Sequence, residues 1–242
     1  MNERARASFA GVAAVACLVV MVTARNHLLV AASAAVALVY VSSRSALPWV
    51  ELLPLPRGAC LMLRRILRSA VYLPCVFFFP LPSFAPAWWA LVGGFLVGGI
   101  GVALEWKEVR RWLQPAYLRL FPPVTPLERS RDIIHFAIGG PAQEYLYRYV
   151  VIFAAAPLIG PFSILLSAVL FVAEHLVQRS AGAWDRKDIA LHAGLSLALG
   201  SLAYGNGLLP ALIGHTLYNA PNLLVAARRP GVSGAATLTT PS

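Results

Sequence analysis

The sequence has little charge. Only 12% of its residues are Asp, Glu, Lys or Arg, whereas 59% are hydrophobic and the mean hydropathy is +0.70. Soluble domains carry roughly 25% charged residues. The composition therefore argues against an ordinary soluble fold and predicts a membrane protein.

Cysteine and acidic residues are also scarce. Cys17, Cys60 and Cys75 are odd in number and scattered, which argues against a disulfide framework or a cysteine metal site and favours small buried residues. The net charge is +10. The basic residues lie between apolar runs, so we expect loops at a cytoplasmic membrane face and no nucleic-acid partner.

Long apolar runs dominate what remains, and the lipid bilayer is the expected environment. We predict an all-α membrane protein with about eight transmembrane helices, although several runs are shorter than the roughly 20 residues of a typical span. Prolines make the third run the least regular. The runs are 8–24, 28–43, 67–82, 85–105, 133–158, 161–177, 189–204 and 207–226.

The basic residues predict the orientation. With both termini in the cytoplasm, 18 of the 20 Lys and Arg residues fall in cytoplasmic segments. The Ala-, Arg- and Leu-rich composition indicates a bacterial chain, so we expect an integral protein of the bacterial cytoplasmic (inner) membrane.

The chain divides into three predicted regions. Residues 1–132 hold transmembrane hairpins and two cytoplasmic connections, 44–66 and 107–132, each expected to contain an interfacial amphipathic helix. Residues 133–226 form the core that carries the chemistry, and 227–242 form a disordered tail.

Ionisable residues inside predicted spans are functional candidates, because a charge at the bilayer centre costs roughly 2.5–3.5 kcal/mol. They are concentrated in the last four spans, which we predict to form the site, with the first four as scaffold. The candidates are Glu144, Arg148, Glu174, His175, His215 and Asn219. For His27, His135 and His192, near span ends, we expect interfacial positions.

Two pairs have helical spacing. Glu144 and Arg148 share one helix face, as a charge-assisted pair in the site or as a structural ion pair. His215 and Asn219 also share a face, where both can donate hydrogen bonds to an oxyanion or join helices. His175 fits a catalytic imidazole or an interfacial one.

Three stretches, QEYLYR (143–148), FVAEH (171–175) and HTLYN (215–219), resemble the signature motifs of the CPBP family of CAAX-type and bacteriocin-processing membrane endopeptidases. The family patterns are Glu-Glu-x-x-x-Arg, Phe-x-x-x-His and His-x-x-x-Asn. The resemblance covers about residues 130–226. It implies an intramembrane peptidase in which Glu and His activate water, while a later His and Asn stabilise the oxyanion.

Carried over by position, the resemblance makes His175 the water-activating histidine and His215 and Asn219 the oxyanion pair. Arg148 matches the motif arginine and Glu144 the second motif glutamate. The first motif glutamate, the usual base, falls on Gln143, whose amide cannot accept a proton from water.

Three interpretations of Gln143 remain open. Glu144 serves as the base, or Glu174 supplies the carboxylate from the neighbouring helix, or peptidase activity has been lost. We expect hydrolysis of a peptide bond in a membrane-anchored or lipid-modified protein or peptide. The alternative is an inactive CPBP-like binding or immunity protein.

A transporter is a third possibility, but the sequence has no internal repeat to support it. No cofactor is expected. A catalytic metal is disfavoured, because no His-Glu-x-x-His spacing occurs and Asn is a poor zinc ligand.

Overall fold

The fold is helical throughout the residues that the computed structural model describes, which are 27–45, 50, 52–70, 72, 79, 86–178 and 186–231. No strand occurs among them. The helices are α1 (His27–Ser45), α2 (Arg57–Ala70), α3 (Trp88–Leu104), α4 (Trp106–Trp112), α5 (Pro115–Leu118), α6 (Pro126–Glu144), α7 (Ile152–Ile159), α8 (Phe162–Gln178), α9 (Arg186–Asn206) and α10 (Leu209–Arg228). A π-helical segment, Tyr145–Val151, joins α6 to α7.

The all-α prediction is confirmed for this part of the chain, whereas the count of eight spans is not. No single described helix is both long and apolar enough to cross a membrane alone. Helices α3 and α4 meet that test together, as a pair bent by 72°. The predicted run 8–24 and most of 67–82 lie outside the described residues.

Helix α6 begins seven residues before the predicted run at 133, because Thr125 and Glu128 form a capping box. The Thr125 hydroxyl accepts a hydrogen bond from the backbone N–H of Glu128 at 3.2 Å, and the Glu128 carboxylate accepts one from the Thr125 N–H at 2.9 Å. The backbone N–H and the hydroxyl of Thr125 hold the pKa of Glu128 below its usual value. The polar sequence before 133 is thus the first turn of a helix rather than a loop.

Helices α3 and α10 pack backbone to backbone through small residues. A Cβ on Gly94 would lie only 2.3 Å from the carbonyl oxygen of Pro210, and one on Gly98 would lie 2.4 Å from that of Gly214. Such a small-x-x-x-small face lets two helices approach closely. The contact fixes the helix that carries His215.

Arg229, which follows α10, joins the end of that helix to the first half of α6. Its guanidinium forms an ion pair with Asp132 on α6 at 3.2 Å and donates to the carbonyl of Pro122 at 3.1 Å. Arg129 donates to the Arg229 carbonyl at 2.7 Å. The start of α6 and the end of α10 are therefore tied together. The tail predicted for residues 227–242 overlaps the last two residues of α10. Residues 232–242 lie outside the described part of the chain.

Helix α1 packs against the π segment and α8 around a buried apolar cluster. Val39, Leu146, Val150 and Phe171 belong to it, and the Tyr40 hydroxyl donates to the Leu170 carbonyl at 2.5 Å. Cys60, the one predicted buried cysteine among the described residues, is buried. The cluster supports the π segment from behind the site.

We predict that Gly98→Ala destabilises the protein and that Gly99→Ala does not. A methyl group at 98 forces α3 away from Gly214, and overpacking of this kind costs about 1–3 kcal/mol. At 99 the nearest atom would be a Leu217 methyl at 4.0 Å, so Ala should be neutral or slightly stabilising. Thermal unfolding in detergent micelles measures both, and equal midpoints for the two variants would contradict the packing.

Candidate active site

The carboxylate of Glu144 is buried and has two partners. Nδ1 of His215, on α10, donates to Oε1 at 2.6 Å. Nε of Arg148 lies 3.3 Å from Oε2, but its N–H is not aligned for a hydrogen bond, so this contact is an ion pair only. The π segment begins just after Glu144 and changes the turn between these two residues. The carboxylate is therefore held more directly by His215 than by Arg148.

Arg148 is fixed by α8 instead. Its Nη1 donates to the Ser167 hydroxyl at 3.1 Å, and that hydroxyl donates to the Tyr147 carbonyl at 2.6 Å. The guanidinium carbon lies 4.5 Å from the centre of the Phe171 ring, within cation–π range. The motif arginine thus packs on the motif phenylalanine.

Gln143 lies beside the second buried carboxylate, Glu174. Its Nε2 donates to Oε1 of Glu174 at 3.1 Å, and the Tyr72 hydroxyl donates to the same oxygen at 2.5 Å. Glu174 is fully buried, whereas Gln143 and Tyr72 line the cavity in front of it. A carboxylate from the neighbouring helix therefore binds the amide that replaces the family's usual glutamate.

His175 is oriented by its own helix. Its Nδ1 lies 2.9 Å from the Phe171 carbonyl oxygen and must carry a proton to bond there. In the neutral ring, the lone pair is consequently on Nε2. The ring packs 4.3 Å from that of Phe171, between centroids. This arrangement gives His175 the tautomer that a proton acceptor needs at Nε2.

Gly140 on α6 leaves room for the His215 and Asn219 side chains. A Cβ at this position would lie 3.3 Å from Nδ2 of Asn219 and 3.5 Å from Nε2 of His215. Both nitrogens can donate hydrogen bonds. The two donors predicted from their spacing do converge on one small region.

One cavity of about 560 Å³ collects these groups. Gln143, Glu144, His175, His215 and Asn219 all line it, together with Arg148. Glu174 alone among the sequence candidates lies behind the wall. The structure therefore brings the three motifs to a single site.

Several cavity residues were missed by the sequence analysis. Tyr72 and Glu105 come from the region predicted to be only scaffold, and Glu105 accepts a hydrogen bond from Tyr218 at 3.0 Å. His135 and His192 line the cavity, although interfacial positions were expected. For Tyr218, the one signal available in the sequence was its position three residues after His215, which places both side chains on the same side of a helix.

The described residues contain no group of three His, Cys, Asp or Glu side chains that could hold a metal ion. Glu144 and His215 are bonded to each other, and Glu174 lies outside the cavity wall.

Comparison with models of known protein families gives a match. Residues 132–221 match the family model described as type II CAAX prenyl endopeptidase Rce1-like. No curated protein and no solved structure matches the chain. The matched segment contains all three motifs and nearly coincides with the predicted core, 133–226. This match agrees with the resemblance to the CPBP/CAAX protease family that the three motifs carry.

Proposed function

We propose that this protein is a membrane peptidase that hydrolyses a peptide bond near a lipid-modified or membrane-anchored end of its substrate. The observation that carries the proposal is the convergence of His175, His215 and Asn219 on one cavity. His175 supplies a proton acceptor, and His215 and Asn219 supply two hydrogen-bond donors to the oxyanion. These are the groups that hydrolysis of a peptide bond by water requires.

In this proposal, His175 activates the water molecule. Nε2 of His175 takes a proton from a water molecule whose other hydrogen is accepted by the Gln143 side-chain oxygen. The Gln143 amide nitrogen is bonded to Glu174, and the amide oxygen is the atom that accepts a hydrogen bond from the water in this proposal. Gln143 orients the water, and His175 accepts the proton.

The oxyanion is stabilised by Nε2–H of His215 and the Asn219 amide. Nδ1 of His215 already donates to Glu144, so a second donor at Nε2 requires the imidazolium form. The Glu144 carboxylate, 2.6 Å from Nδ1, stabilises that cation, and Nε of Arg148 lies 3.3 Å from the other carboxylate oxygen. Glu144 thus acts through His215 rather than on the water.

The surface is suited to a membrane-anchored substrate. Large apolar side chains are exposed on helices α3 and α8, where lipid rather than water would cover them. They include Trp88, Trp89, Phe95, Leu96, Ile100, Phe162, Leu165 and Val169. The matched family model is named for prenyl endopeptidases, so a prenylated tail is the first substrate to test.

One observation favours a second candidate function, an inactive binding protein. Gln143, an amide, stands where the usual base would be a glutamate. The two nearby carboxylates, Glu144 and Glu174, each accept a hydrogen bond from another side chain. Such a protein would bind the same anchored tail in the same cavity without cutting it.

The proposal predicts that purified protein in liposomes cleaves a farnesylated peptide with a C-terminal CAAX tail. We expect His175→Ala to reduce the rate roughly 10²–10⁴-fold, since it removes the general base. His27→Ala, an exposed histidine at the start of α1, is the matched control and should cleave normally. Mass spectrometry of the products measures the rates. Binding of the peptide without cleavage by the wild type would support the inactive candidate.

A second prediction concerns the oxyanion donors. Gly140→Ala places a methyl group 3.3 Å from Nδ2 of Asn219 and 3.5 Å from Nε2 of His215. It should reduce the cleavage rate up to about 10²-fold, because small misplacements are costly in catalysis. Gly194→Ala, on α9, meets nothing within 4 Å and serves as the control. Similar rates in the two variants would show that these donors are not used.

A third prediction tests the bond between Gln143 and Glu174. Gln143→Glu alone places two carboxylates where one hydrogen bond now lies and should lower the unfolding midpoint. Adding Glu174→Gln restores one amide and one carboxylate, so the double variant should regain stability, with a coupling of about 0.5–3 kcal/mol. Additive losses would contradict the contact, and a gain of cleavage in Gln143→Glu alone would favour the inactive candidate for the natural chain.

A further inference from the structure

A further imidazole, which the proposed reaction has not used, lines the same cavity. His192, in the first half of α9, is one of the residues that line it. Its ring centroid lies 5.5 Å from that of His175 and 5.9 Å from that of Tyr218, the residue just before Asn219. His192 therefore lies beside the proton acceptor of the proposed reaction, in the wall of the same cavity.

His192 is oriented in the same way as His175. Its Nδ1 lies 2.9 Å from the Asp188 carbonyl oxygen one turn earlier and donates to it. When the ring is protonated, the second N–H is on Nε2. Besides Glu144, Arg148, His175 and His215, the other charged or titratable groups that line the cavity are Tyr72, Glu105, Glu108, His135, Lys187, Asp188 and Tyr218.

The departing nitrogen of the proposed hydrolysis needs a proton, which either the protonated His175 or a second imidazole in the cavity can donate. After water attacks, the proton from water is on His175 and the oxyanion is bound by His215 and Asn219. Collapse of the tetrahedral intermediate breaks the C–N bond, and the departing nitrogen must gain a proton because an amide anion is a very poor leaving group.

We propose that His192 is a further catalytic residue, the general acid that protonates the leaving amine. Nε2–H of His192 transfers its proton to the nitrogen as the C–N bond breaks. The products are a carboxylic acid and an amine, and water is the only reactant added. The proton held by His175 then returns His192 to its starting form through a water molecule between the two rings.

This role rests on the proposed peptidase function, and the two can be tested apart with a pair of substrates. The first is the farnesylated CAAX peptide, and the second carries an activated ester, with a phenolic leaving group, at the scissile bond. A phenolate can leave without gaining a proton, whereas an amine nitrogen must gain a proton as it leaves.

We expect His192→Gln to cut the amide about 10²–10⁴-fold more slowly than the wild type, yet to cut the ester at nearly the wild-type rate. His175→Gln should be slow on both substrates, since it lacks the base. His27→Gln is the control and should be normal on both.

Each outcome has one meaning. A His192→Gln variant that cuts the amide normally, or that slows on amide and ester equally, overturns the general-acid role and leaves the peptidase function standing. A wild type that cuts neither substrate overturns the peptidase function, and the role of His192 with it.

Discussion

The hydrogen bond between Glu144 and Nδ1 of His215, 2.6 Å long and buried, connects the two helices on which the site depends. It joins α6 to α10 deep in the protein, and the ion pair of Arg229 with Asp132 joins the same helices at their ends. Close glycine packing against α3 holds α10 from its other side. The position of His215 is thus fixed by contacts on three sides.

Both buried carboxylates are occupied by partners, and this constrains the chemistry. Glu144 is bound by His215 and attracted by Arg148, and Glu174 is bound by Gln143 and Tyr72. In the proposed function, proton transfer therefore falls to imidazoles, with the carboxylates holding their positions. A glutamine at position 143 fits these separate roles of imidazoles and carboxylates, because its amide can bond to Glu174 and still orient water.

The motif residues could be paired from the sequence because each motif is local. Glu144 and Arg148, Phe171 and His175, and His215 and Asn219 are each one helical turn apart, so spacing alone places each pair on one face. The helical class followed from apolar runs. Contacts made by residues far apart in the chain could not be predicted in this way: Tyr72 with Glu174, Glu105 with Tyr218, and His192 beside His175 all require the packed helices. The π segment and the early start of α6 also depend on local bonding that hydropathy does not report.

The most direct test of the central claim is the isotopic composition of the product formed in ¹⁸O-labelled water. Purified wild-type protein is incubated with the farnesylated CAAX peptide in liposomes, and the newly formed carboxyl group is analysed by mass spectrometry. A peptidase that attacks with cavity water predicts one ¹⁸O atom in each new carboxyl group, with no product from His175→Ala. Intact peptide after prolonged incubation with the wild type, despite demonstrable binding, would contradict the claim.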